Sequence, residues 1–431
     1  MSQAESQLQL DHERILACVH CGLCLPACPT YIATGNENDS PRGRIYLMRA
    51  VSEAKLPPTS PVFRQHIDRC LGCRACESAC PSGVEYGHLL ETARVDVEAN
   101  RSVSIVKRVM LEWIWPVTWR RRALMLAGRV MRSARMSTLL IRSGLVRLFS
   151  RKGDIALRLL DATRSAELDI TTSAVNDDTR VDPGGEVAVF RGCTADLFAS
   201  VDVAVIRVLK ANGMELSVPV DQGCCGALHA HSGFIEEARA LARKNIDAFK
   251  GTDGPIATSA GGCGAMLVDY AHLLAHDPGY KTAAQEFAAR IKDVGQILES
   301  PHHVVVTSHE RVAYDSSCHL LHGQHAAEDS RALLQSVEGL EQVPLQGSDV
   351  CCGGAGIYNL LEPDLSVEIL ERKLDQISES GATLIATANP GCHMQIASGL
   401  ARRPNNSVRV GHPIEILDHC YRSAGLYSED E

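Results

Sequence analysis

The 431-residue sequence has few aromatic residues and no long apolar segment. Phe, Trp and Tyr make up 4% of the residues, and nothing in the chain resembles an aromatic platform for stacking nucleic-acid bases. The net charge of −9 also argues against nucleic acid as the main partner. Because no run of eighteen apolar residues is present, we expect no segment that spans a bilayer.

The sequence also lacks the usual marks of secretion and of nucleotide binding. Residues 1–17 are polar and acidic without an apolar core, which predicts a cytoplasmic chain with no signal peptide and with reduced thiols. No Gly-Lys-Ser/Thr follows a glycine-rich loop, and no G-x-G-x-x-G opens a helix after a strand. We therefore expect no FAD or NAD on this chain and no catalytic acid–base residues, so any flavin must belong to a partner.

Cysteine, by contrast, is abundant, with 17 residues. The pattern C-x2-C-x2-C-x3-C-P occurs twice, ending at Pro29 and at Pro81, and it is typical of ferredoxin domains that bind [4Fe–4S] clusters. Three closely spaced cysteines surround one cluster while the fourth reaches the other, so we predict crossed ligation. The expected ligands are Cys18, Cys21, Cys24 and Cys80 for one cluster, and Cys28, Cys70, Cys73 and Cys76 for the second. Zinc and disulfides are the alternatives, but zinc ribbons use paired C-x2-C motifs instead.

The segment between the two cysteine runs predicts a turn that enters a helix with an apolar face. Ser40-Pro41 provides the turn, and Arg42 and Arg44 lie at the helix start. The two arginines either face the clusters or a partner's acidic surface, or they lie in solvent. A further helix over residues 82–100 would close this domain.

Residues 101–185 differ in character from what precedes them. Trp113, Trp115 and Trp119 lie within seven positions and are followed by arginines at 120–122. A basic helix with tryptophans is typical of a segment on a membrane surface, and equally of a connector docked on its own protein or on a partner. We predict that this stretch is an interface, either with a partner subunit or with a membrane surface and its quinone. Residues 171–185 are polar and turn-rich, which predicts a linker.

The remaining sequence contains an internal repeat in which strands and helices alternate. In each copy single cysteines and a Cys-Cys-Gly turn follow predicted strands, so all four cysteines can meet at one edge of a parallel sheet. The first set is Cys193, Cys224, Cys225 and Cys263, and the second is Cys318, Cys351, Cys352 and Cys392. Four unpaired thiolates at one site need a cation or a cluster, so both sets are candidate metal ligands; structural, neutral thiols are the alternative.

These repeats resemble the cysteine-rich CCG domains of heterodisulfide reductase catalytic subunits. That family has one cysteine, then Cys-Cys-Gly, then Cys-x-x-Cys, and this sequence matches except at the first cysteine of each Cys-x-x-Cys. Ala260 and Asn389 stand at those two positions. Each set thus keeps four cysteines, which argues against the five-thiolate, non-cubane cluster of that family, whereas four thiolates are sufficient for an ordinary cluster.

The order of ferredoxin runs, basic connector and duplicated CCG unit further resembles the family of bacterial glycolate oxidase iron–sulfur subunits. The resemblance extends to Pro41-Arg-Gly-Arg-Ile-Tyr-Leu47, Ser259-Ala-Gly-Gly-Cys-Gly264 and Cys352-Gly-Gly-Ala-Gly-Ile-Tyr358. It implies an electron-transfer subunit of a glycolate dehydrogenase complex, in which an FAD-binding flavoprotein oxidises glycolate to glyoxylate and a quinone-type acceptor at the inner membrane takes the electrons. Lactate- and glycerol-3-phosphate-oxidising complexes, and a thiol–disulfide reductase of the heterodisulfide type, are the alternatives.

Three further residues are interpreted as structural. Cys420 lies in a helical pattern and is expected to be a buried, non-ligating thiol. Beside the cysteine ligands, His20 is expected to be solvated or hydrogen-bonded, and His319 to be a hydrogen-bonded structural residue. The fold class is accordingly a multidomain α+β and α/β protein. We predict an α-helical ferredoxin-like domain (1–100), a helical connector (101–185), and two α/β CCG repeats (186–305 and 306–431).

Overall fold

The computed structural model describes residues 12–101, 105–176 and 185–427. The N-terminal part is a small helical domain with α1 (His12–Leu16), α2 (Pro29–Thr34), a 3-10 turn (Glu37–Asp39), α3 (Pro41–Ser52), α4 (Pro61–Asp68), α5 (Ala75–Ser78) and α6 (Tyr86–Ala99). Ser40 caps α3 by accepting a hydrogen bond from the N–H of Gly43 at 3.0 Å, as the predicted turn requires. Met48 and Phe63 are fully buried in the core of this domain. Residues 1–11, the first part of the polar N-terminal segment 1–17, lie outside the described residues.

The connector is a series of helices. They are α7 (Ile105–Arg108), a π-helical turn (Val109–Ile114), α8 (Thr118–Ser133), α9 (Met136–Ser143), α10 (Leu145–Phe149) and α11 (Arg151–Asp161). Pro116 separates the π-helical turn from α8, and Ser150 caps α11 by accepting a hydrogen bond from the N–H of Gly153 at 3.0 Å. Helices α8 to α11 pack against one another.

A strand follows the connector where a linker was predicted. Strand β1 (Ile170–Asn176) pairs antiparallel with residues 303–308, from Ile170 opposite Ser308 to Asn176 opposite His303. The linker prediction is therefore wrong for residues 171–176. Thr171 and Val175 are β-branched residues that suit a strand, and pairing with a distant segment outweighs the local turn composition. The rest of the predicted linker, residues 177–184, lies outside the described residues.

The first repeat is a four-stranded parallel sheet with helices. Its elements are β2 (Glu186–Val189), α12 (Ala199–Ala211), β3 (Glu215–Ser217), α13 (Ala227–Ala230), α14 (Ile235–Ala248), β4 (Ile256–Thr258), α15 (Gly261–Val268), α16 (Tyr270–Leu273), α17 (Lys281–Ala289), β5 (Ile291–Asp293) and α18 (Val294–Ile297). The strand order is β3-β2-β4-β5. This order places the ends of β3, β2 and β4 side by side.

The second repeat builds an equivalent sheet. Its elements are β6 (His303–Ser308), β7 (Arg311–Asp315), α19 (Cys318–His322), α20 (Ala327–Gln335), β8 (Val337–Glu338), β9 (Glu341–Gln342), α21 (Tyr358–Leu361), α22 (Pro363–Ser380), β10 (Leu384–Thr387), α23 (Pro390–Leu400), β11 (Arg409–Gly411) and α24 (Pro413–Ser423). The parallel order β9-β7-β10-β11 matches the first sheet strand for strand, while β6 pairs with β1 and β8 in a third sheet. The protein is thus a mixed helix-and-sheet structure. The four domain boundaries stay predictions.

The two repeats share one apolar core, and the helical domain is docked on both. Val205 of α12 and Leu417 of α24 are fully buried in that shared core. From the helical domain, the His88 Nε2 lies 2.9 Å from a carboxylate oxygen of Asp269 in the first repeat. The Tyr358 hydroxyl of the second repeat donates to the helical domain as well, to a backbone carbonyl at 2.9 Å. The described helices include none with the length and apolar composition that a membrane crossing requires.

Candidate iron–sulfur sites

The structure brings Cys28 of the first cysteine run to three cysteines of the second run. A small cavity of about 20 Å³ is lined by Cys28, Cys70, Cys73 and Cys76 together. Pro29 begins α2 directly after Cys28, which turns the chain away beyond that thiol. These four residues are the set predicted for the second cluster, although their role as ligands stays a prediction.

The other predicted set lies closer to the surface. Burial is the main cause that raises the pKa of the Cys18 thiol, and the neighbouring Cys80 and Cys21 raise it further. Burial likewise raises the pKa of Cys24, with Cys18 nearby, whereas Cys21 is exposed. Cys80 of the second run thus lies beside Cys18 of the first run, as crossed ligation requires.

Arg44 is a buried cation beside Cys28, which belongs to the set predicted for the second cluster. Its side chain is 1% exposed, and it donates to the carbonyl of His66 at 2.6 Å and to the Thr30 hydroxyl at 3.1 Å. Its charge favours the thiolate form of Cys28, against the burial that raises the pKa of that thiol. Of the two alternatives for Arg44, the structure therefore supports the one in which it faces the cysteines.

Arg42 has a different environment. Its Nε donates to Glu37 at 2.6 Å and its Nη1 to the carbonyl of His20 at 3.0 Å, close to Cys24. It therefore holds the first cysteine loop in place from the start of α3. His20 itself is exposed and adopts a left-handed backbone with φ of 56°.

The cysteines of each repeat form a continuous chain of thiol contacts. In the first repeat Cys193 contacts Cys224, Cys224 contacts Cys225, and Cys225 contacts Cys263. Contact with Cys224, added to burial, raises the pKa of Cys193 well above its ordinary value. The N–H of Gly226 points to the Cys224 sulfur at 3.5 Å from a residue with φ of +89°, a conformation that favours glycine.

The second repeat repeats this arrangement. Cys351 contacts both Cys318 and Cys352, and Cys352 contacts Cys392. The thiols of Cys351 and Cys392 hold the pKa of Cys352 well below its ordinary value by donating to its sulfur. In both repeats the cysteines follow the carboxyl ends of three neighbouring parallel strands, which is why residues far apart in sequence meet.

All eight of these cysteines face one cavity of about 290 Å³ between the repeats and the helical domain. Cys70 and Leu71 of the helical domain also line this cavity. The sequence predicts two convergent sets but contains no sign that they share a space. The shared cavity follows from the way the two sheets pack, with their cysteine-bearing edges facing each other.

The two positions that depart from the Cys-x-x-Cys pattern, Ala260 and Asn389, also line the cavity. The Nδ2 of Asn389 donates to the sulfur of Cys392 at 3.4 Å, and its Oδ1 accepts from the N–H of Gly262 at 3.2 Å. Asn389 therefore supplies a hydrogen bond to sulfur where a fifth thiolate would otherwise stand. It also ties the second cysteine set to the first repeat.

Cys73 of the helical domain contacts Cys351 of the second repeat. The Cys351 thiol donates to Cys73 and lowers its pKa. His319, next to Cys318, hydrogen-bonds through its Nε2 to the carbonyl of Gly72 at 3.0 Å. Burial lowers the pKa of His319 to about 4, so this ring is neutral and bridges the two cysteine-bearing modules. His319 is thus a hydrogen-bonded structural residue, as expected.

The sequence analysis missed the role of Trp115 at this cavity. Trp115 lines the cavity next to Cys193. Contact with Cys224 and burial raise the pKa of Cys193, and the indole N–H of Trp115 acts against them by favouring the thiolate. The tryptophan cluster was predicted only as an interface, and no local signal distinguishes its middle member from the other two.

The sequence analysis also missed a buried ion pair next to the cysteines of the second repeat. The ammonium of Lys373 lies 2.7 Å from a carboxylate oxygen of Asp315, with both side chains at most 2% exposed, and its charge acts on Cys352. The signal was present in the sequence. Lys373 continues the stripe Leu365 and Ile369 at a spacing of four, which places it on the buried face of α22.

The donor sets fit iron–sulfur clusters. Each set has four cysteines, and three of the four sets line a cavity. Within residues 12–101, 105–176 and 185–427, no group of three or more His, Cys, Asp or Glu side chains is arranged to hold a single metal ion. Cys420, as expected, is fully buried in the shared apolar core and lines none of these cavities.

Comparison with known proteins places these modules in a family. Residues 14–84 match the model of a 4Fe-4S dicluster domain, and residues 187–268 and 312–397 both match the model of a cysteine-rich domain. A probable glycolate oxidase iron–sulfur subunit of Bacillus subtilis is 38% identical, over 96% of this chain and 96% of its own length. The chain belongs to the glycolate oxidase iron–sulfur subunit family.

Two further relatives are consistent with this assignment. The glycolate oxidase iron–sulfur subunit of Escherichia coli is 32% identical over 95% of both chains. Lactate utilization protein A of Shouchella clausii is 31% identical, covering 54% of this chain and 98% of its own length. The dicluster domain identifies residues 14–84 as a carrier of two [4Fe–4S] clusters, and the chain is an electron-transfer subunit of the oxidoreductase class.

Proposed function

We propose that this chain is the electron-transfer subunit of a glycolate dehydrogenase complex. A separate FAD-binding flavoprotein oxidises glycolate to glyoxylate, releasing two electrons and two protons, and a quinone-type acceptor at the cytoplasmic face of the inner membrane is reduced. When bound, iron–sulfur clusters carry single electrons, which lets a two-electron flavin serve a separate acceptor. The substrate comes from the names of the relatives, in which the word subunit also implies partner chains.

The observation that carries this proposal is the contact between Cys73 and Cys351. It joins the dicluster domain to the cysteine-rich repeats at one buried point, and His319 holds the same junction through its hydrogen bond to Gly72. A subunit that only bound a scaffold partner would need no such contact. Continuity between cysteine sets is what electron transfer through one chain requires.

The ligand roles are part of the proposal. We assign Cys18, Cys21, Cys24 and Cys80 to one cluster and Cys28, Cys70, Cys73 and Cys76 to the other. The assignment is supported by the cavity that the latter four line and by the effect of Cys21 and Cys80 on Cys18. The sets of the two repeats, Cys193, Cys224, Cys225 and Cys263, and Cys318, Cys351, Cys352 and Cys392, are proposed sites of further clusters. The chain itself supplies buried thiols, hydrogen bonds to sulfur, and exclusion of water.

The test is anaerobic reconstitution of the complex. Cluster-loaded chain alone, mixed with glycolate and a dye acceptor, should reduce no dye, whereas addition of the flavoprotein should give both dye reduction and the paramagnetic signal of reduced clusters. Dye reduction by glycolate without the flavoprotein would contradict the proposal. Lactate and glycerol 3-phosphate, tested in parallel, distinguish the alternative complexes, of which the lactate one is favoured by the lactate utilization relative.

A further inference from the structure

The helical connector has a high concentration of exposed apolar side chains. Of the 22 large apolar side chains that are exposed in the described residues, 11 lie between residues 109 and 149, a tenth of the chain. The most exposed of these eleven are Phe149 at 84%, Leu148 at 82% and Trp119 at 68%. Single exposed apolar residues are normal on a protein surface, but such a concentration marks an interaction site.

These side chains follow helical periodicity. On α8, Trp119, Leu126 and Val130 lie on one exposed face, because spacings of seven and four residues return to the same side of a helix. The opposite face of α8 is buried through Arg121 and Met125. The next helices, α9 and α10, continue the pattern with exposed apolar side chains of their own. We call the exposed side chains of residues 109–152 the connector surface.

The connector surface is also strongly basic. Residues 109–152 contain ten Lys and Arg and a single acidic residue, Glu112, a net charge of +9 in a chain whose net charge is −9. Six of its cations are exposed and form no ion pair with the described residues: Arg122, Arg129, Arg135, Arg142, Arg147 and Lys152. Arg120 instead lies over the ring of Trp113, 4.1 Å from its centroid. The surface thus combines unpaired cations with protruding apolar side chains.

We propose that the connector surface docks on an anionic lipid bilayer. Helices that lie in a bilayer interface present Trp, Phe and Leu to the acyl boundary and Arg or Lys to the headgroups, which is the composition found here. Unpaired cations are complementary to anionic lipid headgroups. A lipid surface also accepts protruding side chains without the shape complementarity that a protein partner must provide.

Docking at this surface would bring the cysteine cavity close to the bilayer. Trp115, between the exposed Trp113 and Trp119, lines that cavity, and the buried Arg121 donates to the carbonyl of Trp115 at 3.0 Å. The same short segment therefore reaches both the outer surface and the Cys193 site. The use of this proximity for reducing a lipid-soluble acceptor rests on the proposed function, whereas lipid binding itself does not.

The test is vesicle flotation with the full-length, cluster-loaded chain. The protein should float with vesicles of phosphatidylcholine and phosphatidylglycerol at low salt, and should remain unbound with phosphatidylcholine alone. All three tryptophans of the chain lie in the connector, so tryptophan emission should also shift to the blue with the anionic vesicles and be quenched by brominated lipid. Failure to float with anionic vesicles overturns the inference and leaves the electron-transfer proposal untouched.

Variants test whether the connector surface binds lipid or protein. The triple change Arg135→Gln, Arg142→Gln and Arg147→Gln should reduce the partition coefficient on the order of 100-fold, about 5-fold for each charge. Leu148→Ser with Phe149→Ser should weaken binding to the same vesicles. These residues are exposed, so iron content should be unchanged.

The matched control removes the same number of charges elsewhere. Lys281→Gln, Lys292→Gln and Arg331→Gln alter exposed cations outside the connector and should leave flotation unchanged. Val220→Ser removes an apolar side chain that is 85% exposed and serves as the control for Phe149. If the connector variants float normally but no longer co-purify with the flavoprotein, the surface binds protein and the lipid inference is wrong.

Discussion

The buried pair of Lys373 and Asp315 allows the sharpest stability prediction. The Lys373 ammonium makes hydrogen bonds to Asp315 at 2.7 Å, to the carbonyl of Gly347 at 2.7 Å and to that of Ser348 at 3.3 Å. Lys373→Met removes all three and leaves a carboxylate whose one remaining donor among the described residues is the Thr387 hydroxyl, at 3.1 Å. Breaking a buried pair on one side costs about 3–5 kcal/mol, which corresponds to a fall of roughly 10 °C in the unfolding midpoint of a unit of this size.

A double variant that removes both charges of the pair should recover most of the stability lost in Lys373→Met. Lys373→Met with Asp315→Asn leaves no uncompensated buried charge, so its midpoint should lie well above that of Lys373→Met alone. Lys250→Met is the matched control, because Lys250 lies 2.6 Å from Asp247 but in an exposed pair, and its loss should leave the midpoint unchanged. If the two single changes are additive in the double variant, the pair does not stabilise the fold as argued.

The loss in Lys373→Met should also depend on pH. Burial already raises the pKa of Asp315, and removal of the neighbouring ammonium raises it further. At low pH the carboxyl is protonated in both the folded and the unfolded state, so its raised pKa costs no stability. Above the unfolded-state pKa, ionisation favours the unfolded chain, so the loss of stability grows until the pH reaches the folded-state pKa and is constant above it. Thermal midpoints of the wild type and the variant, measured anaerobically from acidic to alkaline pH, check this trend. An equal deficit at every pH would refute it.

Two further predictions concern the cysteine sets. Cys28→Ser should perturb the cluster held mainly by Cys70, Cys73 and Cys76, as seen in iron content and paramagnetic spectra, and an effect confined to the other cluster would contradict crossed ligation. Asn389→Leu removes the hydrogen bond to the Cys392 sulfur, and hydrogen bonds to sulfur stabilise the reduced state of a cluster. A redox titration should therefore give a more negative reduction potential for a cluster at the second repeat. An unchanged potential would contradict a direct role for Asn389.

Much of the site could be predicted from short-range patterns. The two ferredoxin runs specify their own loops, because the spacing of cysteines within one run determines which thiols can surround one cluster. The parallel strands of the two repeats followed from alternating apolar runs and helical stretches. The strand at residues 170–176 was not predicted although its β-branched residues suit a strand, because the residues with which it pairs, 303–308, are distant in sequence.

The sequence by itself determined the chemistry of this protein: sixteen cysteines in four sets, a dicluster domain, and a basic, tryptophan-bearing connector. Only the tertiary structure decided how these parts meet. The edges of two parallel sheets face each other, so two sets share one cavity, and Cys73 reaches Cys351 across 278 positions of sequence. Spacing along the chain constrains contacts within a loop or a helix, whereas contacts between modules depend on which apolar faces pack together, and that is a property of the whole fold.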